Sequence, residues 1–545
     1  MNFRNWQNAQ KPAQYRLLAG IRGAQRQLLW GLSITFMDQS RLPPLPMERT
    51  KLALAIFVLS LATFIVILDT TIINVAVPHI AGAFAASPSE GTWVITSYAV
   101  AEALTVPVSG WLANRFGIVK VLTVSLLSFA LFSALCGLAS TLEILILLRI
   151  LQGLSGGPLI PISQTLIMRI APPAKLETMM GLWMMTSIVA PVLGPMLGGI
   201  LADTIGWRWA FYLNVPIAAS CGIFGYFLFR DWETQVQKYA IDFIGLALLC
   251  IWVVAFQIML DTGENHAWFQ SNYILALLIV SITAFFLFVI WEITDNYPIV
   301  DLRVLRHRGF ALSSLTLFFA FGAFFASLIL LPLWLQLGMG YTATTAGYVL
   351  AQQGLLGVLA APLAAYLMKK VDSRFLMSAA LMVLAAAIFS RSNFATTIGL
   401  EQFRLPQLAI GIALPFFFVP IVTTSLQFAP RTETAAASSI INFLRTLAAA
   451  IATAAVVSAW SRETITKHAA LVEFQSNSGS YIRRMTQNGL SHGGALQTLD
   501  ALSWQQAMVL AVNDVFIFLS LILALTAAGI WLLPRLAPAH GPVLH

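Results

Sequence analysis

"VILDTTIINVAVP" (Val66–Pro78) places an aspartate, Asp69, inside a stretch that is otherwise almost wholly apolar. A carboxylate at the centre of a membrane helix costs about 2.5–3.5 kcal/mol on insertion scales. A chain that keeps one there must compensate for it or use it.

The solvent of the surrounding sequence is lipid. Of 545 residues, 58% are hydrophobic and 10% are charged, and the mean hydropathy is +0.81. Soluble chains are nearer half apolar and a quarter charged, and no single soluble core could bury this much apolar surface. Cys136, Cys221 and Cys250 all fall in apolar spans, which argues against a disulfide framework or a metal cluster. Residues 1–47 are polar and basic with one short apolar run, and read as a cytoplasmic N-terminal extension.

Apolar stretches of about 18 residues or more mark spans. Fourteen are present, the first near 52–79, the second near 92–112, the fourth near 143–168, the thirteenth near 434–460 and the last near 509–534. The reading is an all-α polytopic membrane protein whose termini share one side. Lysine and arginine choose that side. With cytoplasmic termini, 22 of the 31 basic side chains fall on inner segments and 7 on outer ones, with Arg149 and Arg445 inside spans. The formal charge of +8 is thus a topology signal, and no nucleic-acid partner is expected.

Intramembrane charges mark function by default. At 1.5 Å per residue, Asp69 and Arg149 both lie roughly 10–14 Å below the outer surface. Matching depth permits an ion pair, either as a static fastener of two helices or as a proton carrier. Burial raises an aspartate's pKa and a guanidinium lowers it, so their opposition can be tipped by geometry. Glu102, near the middle of the second span, reads as a hydrogen-bonded glutamic acid, a second protonation site or a contact for a cationic substrate. Arg445 reads as a helix fastener or a substrate contact. The seven histidines are scattered over loops and ends, and no phosphate-binding loop is present, so neither an enzyme nor an ATP-driven pump is expected. No cofactor is expected beyond a proton gradient as energy source. Small residues in "PVLGPMLGGILAD" (Pro191–Asp203) suit close helix contact.

Taken together these motifs resemble the major facilitator superfamily, and within it the fourteen-helix drug:proton antiporter branch. "LDTTIINVAVP" matches that branch's first-helix motif through Asp69, Asn74 and Pro78. "RILQGLSGG" (Arg149–Gly157) matches the fourth-helix motif through Arg149, Gln152 and Gly153. "LGPMLGG" (Leu193–Gly199) resembles the antiporter motif through Gly194, Pro195, Gly198 and Gly199. "WRWAFYLNVP" (Trp207–Pro216) matches the entry to the sixth helix. The gating loop "GWLANRFGIVK" keeps Gly110, Arg115 and Gly117, but has Asn114 where the superfamily has aspartate, which departs from a charge-relay latch.

The resemblance implies a major facilitator fold of helices arranged 6+2+6: a six-helix half over 48–230, two extra helices over 231–300, and a second half over 301–535. "APPAKLET" (Ala171–Thr178) and "APRTET" (Ala429–Thr434) would close the fourth helix of each half. The second half would carry a periplasmic loop over 461–508, followed by a cytoplasmic tail over 536–545. It further implies proton-coupled export of small amphipathic or hydrophobic drugs across a bacterial inner membrane, or of one metabolite such as a siderophore or fatty acid. A periplasmic adaptor and an outer-membrane channel would be partners. In that reading Asp69, Arg149 and Glu102 handle protons.

Overall fold

A computed structural model describes the chain from Met47 to Arg535, apart from breaks at 87, 173–174, 237–241, 264–265, 297, 369, 397, 475–478 and 489. The expected tail, and all of the N-terminal extension but Met47, lie outside the described residues. Every regular element among the described residues is helical. Lipid offers no hydrogen bonds, so the backbone must satisfy itself within each segment.

In chain order the helices are α1 (Arg49–Ala83), α2 (Pro88–Phe116), α3 (Ile118–Leu138), α4 (Leu142–Gly156), α5 (Leu159–Ile170), α6 (Leu176–Thr204), α7 (Trp209–Tyr212) and α8 (Asn214–Phe229). The chain continues with α9 (Phe243–Thr262), α10 (Asn272–Thr294), α11 (Arg308–Leu337), α12 (Ala343–Leu367), α13 (Ser373–Phe389), α14 (Glu401–Phe428), α15 (Thr434–Phe474), α16 (Gly479–Gln487) and α17 (His492–Gly529). α4 and α5 form one span broken at Gly157–Pro158, where proline cannot continue the ladder.

Among the described residues, twelve helices are long and apolar enough to cross a bilayer. A thirteenth passes only as a pair, Thr178–Pro191 and Met196–Ala202, bent by 43°. The second expected span, α2, is a 29-residue helix, but Glu90, Glu102, Arg115 and several hydroxyl residues keep it below that apolarity. The fourteen spans read from the sequence are therefore plausible by length and not all distinct by composition.

A second difference concerns 461–508. Where the sequence reads as a polar loop, α15 and α17 run on as helix for 41 and 38 residues. At 1.5 Å per residue α15 reaches about 60 Å, roughly twice the hydrocarbon thickness. Side-chain contacts tie the two extensions together. Trp460 Nε1 donates to the Met508 carbonyl at 3.1 Å, His468 Nε2 meets Asp500 at 2.9 Å, and Lys467 pairs with Asp514 at 2.7 Å.

The hairpin α9–α10 packs on α2 and α15 through α9, and on the α15 side the Trp252 ring lies 5.7 Å from that of Phe443. α1 packs most extensively on α6. That contact depends on glycine: a Cβ on Gly198 would stand 2.6 Å from the Ile72 carbonyl, and one on Gly194 would collide with the Thr71 hydroxyl. Overpacking of this kind costs about 1–3 kcal/mol or more. Gly198→Val is expected to lower the melting temperature of the purified protein clearly, while Gly529→Ala, in open space, leaves it unchanged.

Candidate functional site

Asp69 lies in α1 with none of its surface exposed. α4 presents Arg149 and Gln152 to it from one face, since residues three apart are neighbours on a helix. Arg149 Nη1 donates to Asp69 Oδ2 at 2.6 Å and to Gln152 Oε1 at 2.9 Å. Asp69 Oδ1 accepts from Gln152 Nε2 at 3.2 Å and from Asn214 Nδ2 at 2.5 Å. Arg149 Nε donates to the Val94 carbonyl at 3.1 Å, and its guanidinium carbon sits 4.1 Å from the centre of the Tyr98 ring. Arg149, Gln152 and Asn214 are likewise fully buried. Three donors converge on one carboxylate, so its negative charge is matched by position as well as by charge.

The packing that permits this is again close. A Cβ on Gly153 would lie 2.5 Å from the Tyr98 carbonyl, so only glycine lets α4 approach α2 at that height. Asn214 anchors the network to α8 and also reaches Ser133 Oγ at 3.3 Å. No charge or hydropathy signal in "WRWAFYLNVP" marks this role, because a neutral amide carries none of its own.

Glu102 does not join this network. It lines a cavity of about 190 Å³ between the first-half helices and those of the second half, together with Thr70, Thr71 and Met184 on one side and Phe321, Gln353, Phe418 and Arg445 on the other. The half-buried Glu102 and the buried Arg445 thus serve one space from opposite halves of the chain. The Arg445 guanidinium carbon lies 5.6 Å from the Phe321 ring centre, and Phe321 stacks on Phe325 at 5.6 Å. Trp183 stays out of this space, because its indole nitrogen donates to Thr63 at 2.9 Å. Asp69 and the cavity are next to each other through α1: Thr70 and Thr71 face the cavity while Asp69 faces α4. A larger groove of about 390 Å³ between α11, α15 and α17 is lined by Ala448, Ala452 and Asp514 and touches none of these groups.

Beyond the cavity, the end of the bundle that carries Arg49, Lys120 and Lys175 is sealed by contacts between the halves. Ser109 and Ser439 share a hydrogen bond at 2.8 Å. Gln164 Oε1 accepts from Ser438 at 2.7 Å and from Asn442 at 2.6 Å. Gly110 packs there, where a Cβ would be 3.0 Å from Ser439 Oγ. The gating loop turns at Gly117, whose φ of +97° suits glycine. In place of a charge relay through residue 114, Glu233 accepts from the Val119 and Lys120 amides at 3.0 and 3.2 Å, and Thr234 Oγ1 accepts from Ile118 at 2.9 Å. These bonds cap the start of α3 from the segment after α8. Arg115 lies half-buried at the end of α2, and Gly199 is half-buried in α6. The side chains of Asn74, Pro78 and Pro195 lie outside the described residues.

Removing one partner of a buried ion pair leaves the other uncompensated, at about 3–5 kcal/mol. Asp69→Asn and Arg149→Gln are each expected to destabilise the protein by that order. The double variant should cost clearly less than the two singles together. Thermal or denaturant unfolding of the four proteins reads the coupling.

The model of the Major Facilitator Superfamily matches residues 59–453 of this chain. Multidrug export protein EmrB of Haemophilus influenzae is 39% identical over 476 residues, which is 86% of this chain and 93% of that protein. EmrB of Escherichia coli strain K12 is 38% identical over the same shares. Fatty acid resistance protein FarB of Neisseria gonorrhoeae is 36% identical over 491 residues, 89% of this chain and 97% of that one. Among solved structures, the proton:xylose symporter XylE superposes with a TM-score of 0.57 at 15% identity, covering 90% of this chain and 97% of its own. The human organic anion transporter MFSD10 gives 0.54 at 15% identity, covering 87% and 99%; both likenesses concern the fold alone. The apolar helical bundle, the matched family model and the long alignments converge: this chain is a multi-pass membrane protein belonging to the Major Facilitator Superfamily.

Proposed function

We propose that this protein is a proton-coupled antiporter that exports small amphipathic or hydrophobic drugs across a bacterial inner membrane. The sealed, basic end faces the cytoplasm. One observation carries the reading: a fully buried carboxylate held by three donors stands one residue from a cavity that both halves of the chain line. The relatives named for multidrug export support the substrate class, and FarB favours a second reading in which fatty acids are the cargo.

The mechanism follows from what a proton does to Asp69. As a carboxylate it accepts from Arg149, Gln152 and Asn214 together. A proton entering from outside removes the charge that Arg149 balances and places a donor hydrogen among donors. The grip of α1 on α4 and α8 loosens. Because Thr70 and Thr71 border the cavity from the same helix turn, movement of α1 reshapes the cavity wall, and substrate leaves outward. The two six-helix halves then rock apart at the Ser109–Ser439 and Gln164–Asn442 contacts, which opens the cavity to the cytoplasm. The α9–α10 hairpin rides outside the rocking halves. One proton moving down 100 mV contributes about 2.3 kcal/mol, enough for substantial accumulation without ATP.

In the cavity, Glu102 serves cationic substrates or a second proton and Arg445 serves anionic ones, while the phenylalanines hold apolar bodies. The helical extensions of α15 and α17 would stand in the periplasm and dock an adaptor protein leading to an outer-membrane channel.

In proteoliposomes with an imposed pH gradient, Asp69→Asn should insert normally yet lose gradient-driven export. Export at the ordinary rate would remove Asp69 from the coupling and point to Glu102. Arg445→Gln should raise the apparent KM for anionic substrates roughly tenfold, the effect of one charge-assisted bond, with little change for neutral ones. A uniform effect on all substrates would contradict its role in charge selection.

A further inference from the structure

The second half of the chain also buries an arginine away from the cavity, and this one lacks a carboxylate partner among the described residues. Arg391, in the turn Ser390–Asn393 that closes α13, is 1% exposed. Its Nη1 donates to Ser327 Oγ at 3.1 Å and its Nη2 to Gln407 Oε1 at 2.5 Å. The Phe516 ring centre lies 5.7 Å from the guanidinium carbon. No described carboxylate comes within ion-pair distance. Arg391 Nε and Gln407 Nε2 are both buried donors with no protein acceptor.

The contrast with the first half is informative. "RILQ" (Arg149–Gln152) on α4 has a counterpart in "RLPQ" (Arg404–Gln407) on α14. There the helix's own arginine, Arg404, points outward to Glu401 at 3.5 Å, and Arg391 from the neighbouring helix sits on the glutamine instead. Ser327 occupies, in the first helix of its half, a depth similar to that of Asp69 in α1. The second half thus repeats the arginine and the glutamine of the Asp69 network but substitutes a hydroxyl for the acid. An arginine keeps its charge in proteins, and a buried charge served only by neutral groups carries a desolvation cost of several kcal/mol. Two of the buried donors, Arg391 Nε and Gln407 Nε2, are left for an anion to accept from. A single buried positive charge is matched by a single negative one, and the burial of Arg391 favours a small ion.

We propose that Arg391, Gln407 and Ser327 form a binding site for a small monovalent inorganic anion such as chloride. The ion accepts from Arg391 Nε and Gln407 Nε2, stands where the carboxylate of Asp69 stands in the first half, and ties α11, α13 and α14 together. The site is separate from the cavity and from the proton-handling network, so it holds whatever the transported compound is.

The test uses the purified full chain in nanodiscs, with chloride replaced by gluconate at constant ionic strength and pH. The melting temperature of the unaltered protein should rise saturably with chloride, by roughly 2 °C or more. Ser327→Asp supplies its own carboxylate and should melt as high in gluconate as in chloride. Arg391→Gln removes the cation and should lose the chloride response; if it does not fold, Ser327→Asp and bromide decide. In crystals grown in bromide, anomalous scattering should place an ion beside Arg391 Nε. Equal melting in both salts for the unaltered protein, a full chloride response retained by Ser327→Asp, or no bromide at Arg391 would each overturn the site.

Discussion

A carboxylate removed from water must be balanced where it stands, and this requirement organises the first half of the protein. Asp69 is balanced by a guanidinium and two side-chain amides drawn from α4 and α8. The helices around it pack closely through glycine: Gly153 where α4 crosses α2, and Gly194 and Gly198 where α6 crosses α1. The polar network and the small-residue contacts therefore share α1 and α4. Without the donors the helices would enclose an unpaired charge.

The same arrangement explains how a local event can have a global readout. α1 carries Asp69 on one face and cavity-lining threonines on the adjacent one. A change in what holds Asp69 becomes a change in the wall of the space shared by the two halves. The bonds that seal the basic end are few and neutral, between serines, a glutamine and an asparagine. Neutral hydrogen bonds of about 1 kcal/mol each suit the opening and closing of the proposed cycle better than buried ion pairs would. The Glu233 cap on α3 joins the segment after α8 to the first half and sits outside that closure.

Much of this was legible in the sequence, for identifiable reasons. Hydropathy marks spans because lipid excludes polar backbone, and the depths of Asp69 and Arg149 follow from helix rise alone. Cross-half geometry was not legible. Glu102 and Arg445 meet one cavity from helices far apart in sequence, and no periodicity reports that. Asn214 and Gln164 are neutral amides, invisible to charge counting. Arg391 reads as an outer-loop residue because polar neighbours follow it, yet the turn Ser390–Asn393 folds it back beneath Phe516. The segment over 461–508 reads as loop because it is polar, whereas a helix outside the bilayer needs only local propensity and a partner helix to lean on. Composition separates lipid from water; it does not separate helix from loop in water.

The proposed transport cycle requires Asp69 to change its protonation as the molecule changes shape. Infrared difference spectroscopy of the reconstituted protein, recorded across a pH step with and without substrate, reads the carbonyl stretch of a protonated carboxyl directly. A band that rises on acidification, shifts with substrate and vanishes in Asp69→Asn is the expected result. A spectrum in which no such band depends on residue 69 would mean that this carboxylate stays ionised throughout, and the network would be a fastener and nothing more.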